Sequence, residues 1–172
     1  MSIAFADLRP DFEQILGDIV YATMTTVDRQ HRPRSRVLIA VWEVVDDAPL
    51  GWLATFPTPV KVEHLAANPH ATFSYWSAAQ NAVAIDTVAT WVDDAAVNRR
   101  VWRLYEQGSP AGVGYPPGRF WRSPEHPSFG VLRLEPYRVQ VLRAQDLAAG
   151  RPSRIWTPEP DALGRHPVSD RQ

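Results

Sequence analysis

The sequence contains no cysteine and only one lysine, Lys61, in 172 residues. The absence of cysteine excludes disulfides, thiolate nucleophiles, iron–sulfur clusters and zinc sites built on thiolates. Any redox chemistry therefore has to come from a bound cofactor. Arginine, in contrast, occurs seventeen times. Because the lysine is single, one substitution tests what lysine chemistry the protein uses.

Excess charge and long apolar runs are also absent. A formal net charge of −1 argues against general nucleic-acid binding, which needs a large basic excess. No apolar run approaches the roughly 18 residues that span a bilayer. The first residues, MSIAFADLRPDFEQ, carry acids where a signal peptide carries basic and then apolar residues. We expect a cytoplasmic protein that binds neither nucleic acid nor a membrane.

The common catalytic motifs are missing as well. The five histidines have no HxH or HExxH spacing, so the sequence predicts no metal site. Gly112, Gly114 and Gly118 miss the dinucleotide-binding spacing and are interrupted by prolines. No GxSxG elbow occurs, which makes hydrolase chemistry a weak interpretation.

The apolar pattern predicts one mainly β domain with a few peripheral helices. Six or seven short strands at this spacing favour a small antiparallel barrel, which leaves few exposed edges. Helices are expected at residues 7–17, 59–67 and 95–107, the last capped by Asp93 or Asp94. Strands are expected at residues 20–27, 36–45, 51–56, 71–76, 82–92, 129–134 and 137–142, with a bend at Pro136 between the last two.

Two segments lie outside this pattern. Residues 109–128 are rich in proline, glycine and aromatics, which is typical of a lid or a subunit-contact loop. Residues 1–145 are predicted to form the domain, and residues 146–172 a proline-rich tail. Within that tail, Ile155-Trp156 is a possible docking point.

Polar residues that suit a phosphate gather around the first hairpin and the third strand. Arginine matches phosphate oxygens with a planar fork, lysine adds a point charge, and threonine hydroxyls with a helix N-terminus complete an anion site. Arg29 and Arg32 are expected at the solvated hairpin tip. The predicted anion-site residues are Arg36, Thr55, Thr58 and Lys61.

Further motifs follow these residues in a fixed order. An arginine-led strand is followed by a threonine, a short loop, a lysine, a helix that ends in Asn-Pro, and an aromatic pair. The residues are Arg36-Val37-Leu38, Thr55, Lys61, Leu65-Ala66-Ala67-Asn68-Pro69 and Tyr75-Trp76. This order, over roughly residues 22–92, resembles the pyridoxamine 5′-phosphate oxidase-like family of FMN-binding split barrels.

The resemblance implies a split barrel, an FMN cofactor and a homodimer with the flavin in a groove between subunits. It implies that Arg36 and Lys61 hold the FMN phosphate. The backbones of Val37, Leu38, Ala54 and Thr55 would approach the ribityl chain and the ring. Aromatic candidates for the substrate side, with core packing as the alternative, are Tyr75, Trp76, Tyr115 and Trp121.

Three departures from the family pattern bear on the reaction. Val60 stands where an arginine usually precedes the lysine, Val41 or Trp42 where the strand carries a lysine, and Ala82 where a glutamine is usual. These departures predict that the vitamin B6 reaction is not catalysed. We expect a flavin-dependent oxidoreductase of unassigned substrate. The alternatives are a deazaflavin-dependent reductase of the same fold and a non-catalytic flavin- or haem-binding module.

Overall fold

The chain builds one antiparallel sheet of eight strands with four helices, as seen in a computed structural model that describes residues 3–159. The helices are α1 (Phe5–Ile19), α2 (Pro59–Ala67), α3 (Ala95–Gln107) and α4 (Ala144–Ala148). The strands are β1 (Ala22–Val27), β2 (Pro33–Leu38), β3 (Val41–Val45), β4 (Ala48–Thr55), β5 (His70–Trp76), β6 (Ala82–Val92), β7 (Gly130–Leu142) and β8 (Arg154–Trp156).

The strands follow the order β2-β1-β5-β6-β7-β4-β3, and β8 pairs with β7 outside this path. Strands β2 and β3 are the two ends of the order, and within residues 3–159 they do not pair with each other. The sheet is therefore not closed, which agrees with the predicted mainly β split barrel. Within residues 3–159, seven strands lie along this order, in agreement with the predicted six or seven, and β8 is an additional strand beside β7.

Two apolar clusters hold the sheet. The larger packs α1, through Leu8, Phe12, Ile15 and Leu16 at helical spacing, against the inward residues of the strands. The smaller lies between β4, β7, α3 and the loop that follows α3, and Tyr105 is one of its buried residues. This second cluster supports the surface on which the candidate site lies.

Three elements begin and end where the sequence predicts. Helix α2 starts at Pro59, whose missing N–H costs nothing in a first helical turn. Strand β6 and helix α3 also have the predicted bounds. Of the two predicted caps, Asp94 is the one used, because its carboxylate accepts from the N–H groups of Ala96 and Val97.

The prediction of one strand over residues 36–45 was wrong. The chain leaves the sheet edge at Ile39 and Ala40, so β2 ends at Leu38 and β3 begins at Val41. The Ile39 carbonyl accepts a hydrogen bond from the Tyr105 hydroxyl at 2.8 Å, instead of bonding to a strand. Strand β2 also begins earlier than predicted, at Pro33.

The prediction of two strands separated by a bend at Pro136 is also wrong, because β7 is continuous. Pro136 pairs with Thr87 and Arg138 with Asp86, so Tyr137 is an extra residue that has no partner on β6. A β-bulge of this kind accommodates a proline inside a strand. The bulge at Tyr137 therefore accommodates Pro136 without ending β7.

Part of the predicted tail joins the sheet. Strand β8 pairs with β7, and the Trp156 ring packs against Phe5 with 5.5 Å between ring centroids. Ile155-Trp156 is therefore a docking point, as predicted. Residues 160–172, including Pro160 and Pro167 of the predicted tail, lie outside the described residues.

Candidate functional site

Lys61 points back from the first turn of α2 onto the end of β4. Its side chain is only 6% exposed, and its ammonium donates to the Thr55 hydroxyl and, at 3.0 Å, to the Phe56 carbonyl. Burial, together with the positive charge of Arg36, lowers the pKa of Lys61 to about 8. The single lysine is therefore a partly desolvated cation close to a second cation.

Arg36 extends from β2 toward the same place. Its Nη2 donates to the Thr26 hydroxyl at 3.0 Å, and that hydroxyl lies 3.0 Å from Nδ1 of His64 on α2. His64 is 6% exposed. Burial lowers the pKa of Arg36. The guanidinium is thus held on one side by a buried network that joins β1, β2 and α2.

The other side of Arg36 has no partner. Its Nη1 is buried without a hydrogen bond, and within residues 3–159 neither Arg36 nor Lys61 forms an ion pair. A buried lysine and a partly buried arginine that repel each other, and that no carboxylate neutralises, are costly. An anion bound between them would satisfy Nη1 and remove the repulsion. The arrangement therefore fits a phosphate group.

A cavity of about 410 Å³ begins beside this cationic pair. Thr55 lines it and also accepts from Lys61, so the two features are continuous. Its volume lies within the range usual for small-molecule sites. Its other lining residues are Tyr21, Val37, Leu38, Ile39, Ala54, Phe56, Tyr115, Arg119, Phe120 and Trp121.

Aromatic rings from the loop after α3 form one wall of the cavity. Trp121 packs against Phe56 and Phe129, with 4.8 and 5.0 Å between ring centroids, and its Nε1 donates to the Ser128 carbonyl at 2.9 Å. Phe120 packs between Trp121 and Tyr115. A flat apolar wall next to a cationic end suits a planar ring that carries a phosphate.

The backbone of β4 at the cavity is fixed by two tyrosines. The Ala54 N–H donates to the Tyr105 hydroxyl at 3.0 Å, and the Tyr115 hydroxyl donates to the Ala54 carbonyl at 3.2 Å. Tyr105 is 1% exposed, so this contact is sheltered from water. The strand end that carries Thr55 is thereby held in place from α3 and from the following loop.

The structure brings most of the predicted site residues together. Val37, Leu38, Ala54, Thr55, Tyr115 and Trp121 line the cavity, and Arg36 and Lys61 lie at its cationic end.

The other predicted residues lie elsewhere. Thr58 is exposed at the start of α2 and borders a neighbouring cavity with Phe56. Tyr75 is buried in the larger core, where its hydroxyl accepts from Trp42 Nε1 at 2.8 Å. Trp76 is 61% exposed at the end of β5 and does not line the cavity. For Tyr75, the alternative of core packing is the one that the structure shows.

The sequence did not predict four groups that lie at the cationic end or line the cavity: Thr26, His64, the Phe56 carbonyl and Arg119. One signal for His64 was present, since it follows Lys61 by three residues and so lies on the same helix face. Thr26 follows the buried Met24 by two residues on β1, so the period of two places both on the inward face. Arg119 had no signal, because its position depends on how the loop folds.

Residues 3–159 offer neither a metal site nor a membrane-spanning helix. No group of three or more metal-ligating side chains comes together there, and no helix there is long and apolar enough to cross a membrane. A second cavity, of about 620 Å³, lies between the start of α1 and residues 156–159. Its charged lining residues are all acidic, Asp46, Asp47 and Glu159, so it does not suit a phosphate.

Solved structures from three bacteria share this fold at low sequence identity. A protein related to general stress protein 26, of the pyridoxinephosphate oxidase family, from Clostridium acetobutylicum aligns with a TM-score of 0.67 and 11% identity, covering 91% of this chain and 97% of that one. A pyridoxamine 5′-phosphate oxidase-related, FMN-binding protein from Nostoc punctiforme gives 0.59 and 17%, covering 88% and 96%.

The third, the haem storage protein HutZ from Vibrio cholerae, gives 0.50 and 15%, covering 75% and 89%. No curated protein matches the chain. The family model described as pyridoxamine 5′-phosphate oxidase, however, matches residues 8–143. That match includes every strand from β1 to β7 and both cations of the candidate site. The chain belongs to the pyridoxamine 5′-phosphate oxidase family.

Proposed function

We propose that the protein binds FMN and acts as a flavin-dependent oxidoreductase on a small molecule. The observation that carries the proposal is the buried, unpartnered Nη1 of Arg36 beside Lys61, at the end of an aromatic-walled cavity. A phosphate there would be held by a planar fork and a point charge. The FMN-binding relative from Nostoc punctiforme supports the same cofactor.

Bound FMN would supply hydride transfer, and the chain's own residues would bind it, orient it and exclude water. Arg36 and Lys61 would hold the phosphate. The strand ends at Val37-Leu38 and Ala54-Thr55 would lie along the flavin, as the family resemblance implies. Thr58 would contribute at the start of α2, where helix N-termini favour anions.

The alternatives differ in cofactor or in chemistry. A deazaflavin would use the same cationic end and the same flat wall. A non-catalytic flavin- or haem-binding module is favoured by one comparison, the haem storage protein from Vibrio cholerae. Against haem, the cavity has no histidine among its lining residues in the described part of the chain.

The substrate is proposed to differ from pyridoxamine phosphate. At the position where the family strand carries a lysine, Val41 is fully buried and Trp42 is 2% exposed. An ammonium group at either position would have to be desolvated. Val60, where an arginine is usual, is 56% exposed and adds no charge beside Lys61.

A homodimer belongs to the same proposal. Tyr21, Val37 and Phe120 line the cavity and are each more than half exposed. A second copy would cover these apolar groups and complete the flavin slot. Light scattering should give twice the chain mass of 19.4 kDa.

The cytoplasmic location stays a prediction, which fractionation of the native cells tests.

Identification of the cofactor tests the function. The protein as purified should release FMN on denaturation, or take it up on reconstitution, and its bound flavin should be reduced anaerobically by NADPH or NADH. A Soret band would favour the haem-binding module. Reduction only by a reduced deazaflavin would favour the deazaflavin-dependent reductase. A colourless protein that binds none of the three would refute the proposal.

A further inference from the structure

The cavity next to β4 has one charged lining residue, Arg119, among the described residues. We propose that Arg119 binds a carboxylate on the substrate, so that the substrate is a small anion with a flat apolar body. The inference rests on the proposed function, because it assumes that substrates approach the flavin through this cavity. It adds the chemical class of the substrate.

The other polar side chains that line the cavity are uncharged, and most of them already have hydrogen-bond partners in the protein. The Thr55 hydroxyl accepts from Lys61, and the Tyr115 hydroxyl donates to the Ala54 carbonyl. The indole N–H of Trp121 donates to the Ser128 carbonyl, so the remaining polar side-chain groups are the guanidinium of Arg119 and the hydroxyl of Tyr21. Both can donate hydrogen bonds, so they suit a ligand that presents acceptors.

Arg119 is also unpaired. Most arginines of residues 3–159 lie within ion-pair distance of a carboxylate, as Arg100 does with Glu43 at 2.6 Å. In the same part of the chain, Arg119 makes neither an ion pair nor a side-chain hydrogen bond, and its side chain is exposed. A ligand carboxylate would therefore displace no protein partner from it.

The backbone that carries Arg119 is fixed. Residues Pro117–Arg119 form a single 3₁₀ turn, in which the N–H groups of Phe120 and Trp121 donate to the Pro117 carbonyl at 3.0 and 3.1 Å. Pro117 is buried, and Trp121 is 4% exposed. The side chain of Arg119 thus extends from a hydrogen-bonded turn at the edge of the aromatic wall.

The chemistry of this edge selects a class of ligand. A guanidinium binds a carboxylate through two parallel hydrogen bonds, and such charge-assisted bonds are about twice as strong as neutral ones. The rings of Phe56, Phe120 and Trp121 offer stacking surfaces for a planar body. An aromatic or conjugated carboxylic acid combines both features.

Benzoate and its neutral analogue benzamide test the inference. Their affinities are measured on the protein reconstituted with FMN, by the change in flavin absorption, and on the FMN-free protein, by tryptophan fluorescence, the latter with inorganic phosphate present to compete for Arg36 and Lys61. Wild-type protein should bind benzoate roughly tenfold tighter than benzamide. The Arg119→Gln variant should lose this preference. The Arg122→Gln variant, which removes an exposed arginine outside the cavity, should keep it.

The inference is overturned if wild-type protein does not bind benzoate, if it binds both compounds equally, or if the preference survives in Arg119→Gln. Failure of the proposed function is a separate result. A protein that takes up no FMN would refute that function, while the two affinities of the FMN-free protein would still decide whether Arg119 selects a carboxylate.

Discussion

Replacement of Lys61 by methionine separates phosphate binding from binding of the flavin ring. Methionine keeps most of the length of the side chain but removes its charge and its hydrogen bonds to Thr55 and Phe56. A hydrogen bond to a charged group contributes about 1.5–3 kcal/mol. The Lys61→Met variant should therefore bind FMN roughly tenfold to a hundredfold more weakly.

Titration followed by flavin fluorescence, at fixed pH and ionic strength, measures this loss. Riboflavin is the matched ligand, because it has the ring and the ribityl chain but no phosphate, and its affinity should not change. Arg34→Gln is the matched protein control. Arg34 precedes Arg36 by two residues on β2, is exposed, and donates only to the carbonyl of Pro33 at 3.4 Å.

Two results would refute the reasoning. If Lys61→Met binds FMN as tightly as wild type, Lys61 is not at the phosphate. If the variant loses affinity for riboflavin and FMN alike, the substitution has disturbed the cavity and not the phosphate contact. The variant should still fold, because within the described residues Lys61 has no carboxylate partner that would be left unpaired.

Three further predictions follow from the same contacts. The pKa of Lys61 is lowered from 10.5 to about 8, so FMN affinity should fall above pH 8 as the ammonium loses its charge. The unfolding free energy of the FMN-free protein should rise over the same range, because the unfolded chain binds more protons there than the folded one. Lys61→Met should abolish both trends. Thr26→Val should weaken FMN binding severalfold without affecting riboflavin, and Thr26→Ser should restore it, because the hydroxyl holds Arg36. Tyr105→Phe should lower the free energy of unfolding by about 1–3 kcal/mol in urea denaturation, since it unpairs the buried Ala54 N–H and the partly buried Ile39 carbonyl. Tyr21→Phe, at an exposed position, should cost nothing measurable.

The sequence predicts local structure best where one local rule decides it. Pro59 opens α2, Asp94 caps α3, and a polar turn precedes β6, so these elements agree with the structure. The rules fail where a distant residue decides. The end of β2 depends on Tyr105, whose hydroxyl donates a hydrogen bond to the Ile39 carbonyl although 66 residues separate the two.

The candidate site shows the same division. Arg36 and Lys61 were predictable, because the motif order around them is specific and phosphate chemistry needs those residue types. The network that holds Arg36 was not, because Thr26 meets His64 only after β1 packs against α2. Arg119 reaches the cavity only through the fold of a loop rich in proline and glycine.

A crystal structure of the FMN complex tests the central claim most directly. We predict that the phosphate lies within hydrogen-bond distance, roughly 3 Å, of both Nη1 of Arg36 and Nζ of Lys61, with the flavin ring in the cavity beside Ala54 and Thr55. A phosphate bound elsewhere, with Nη1 of Arg36 still unpartnered, would contradict the account.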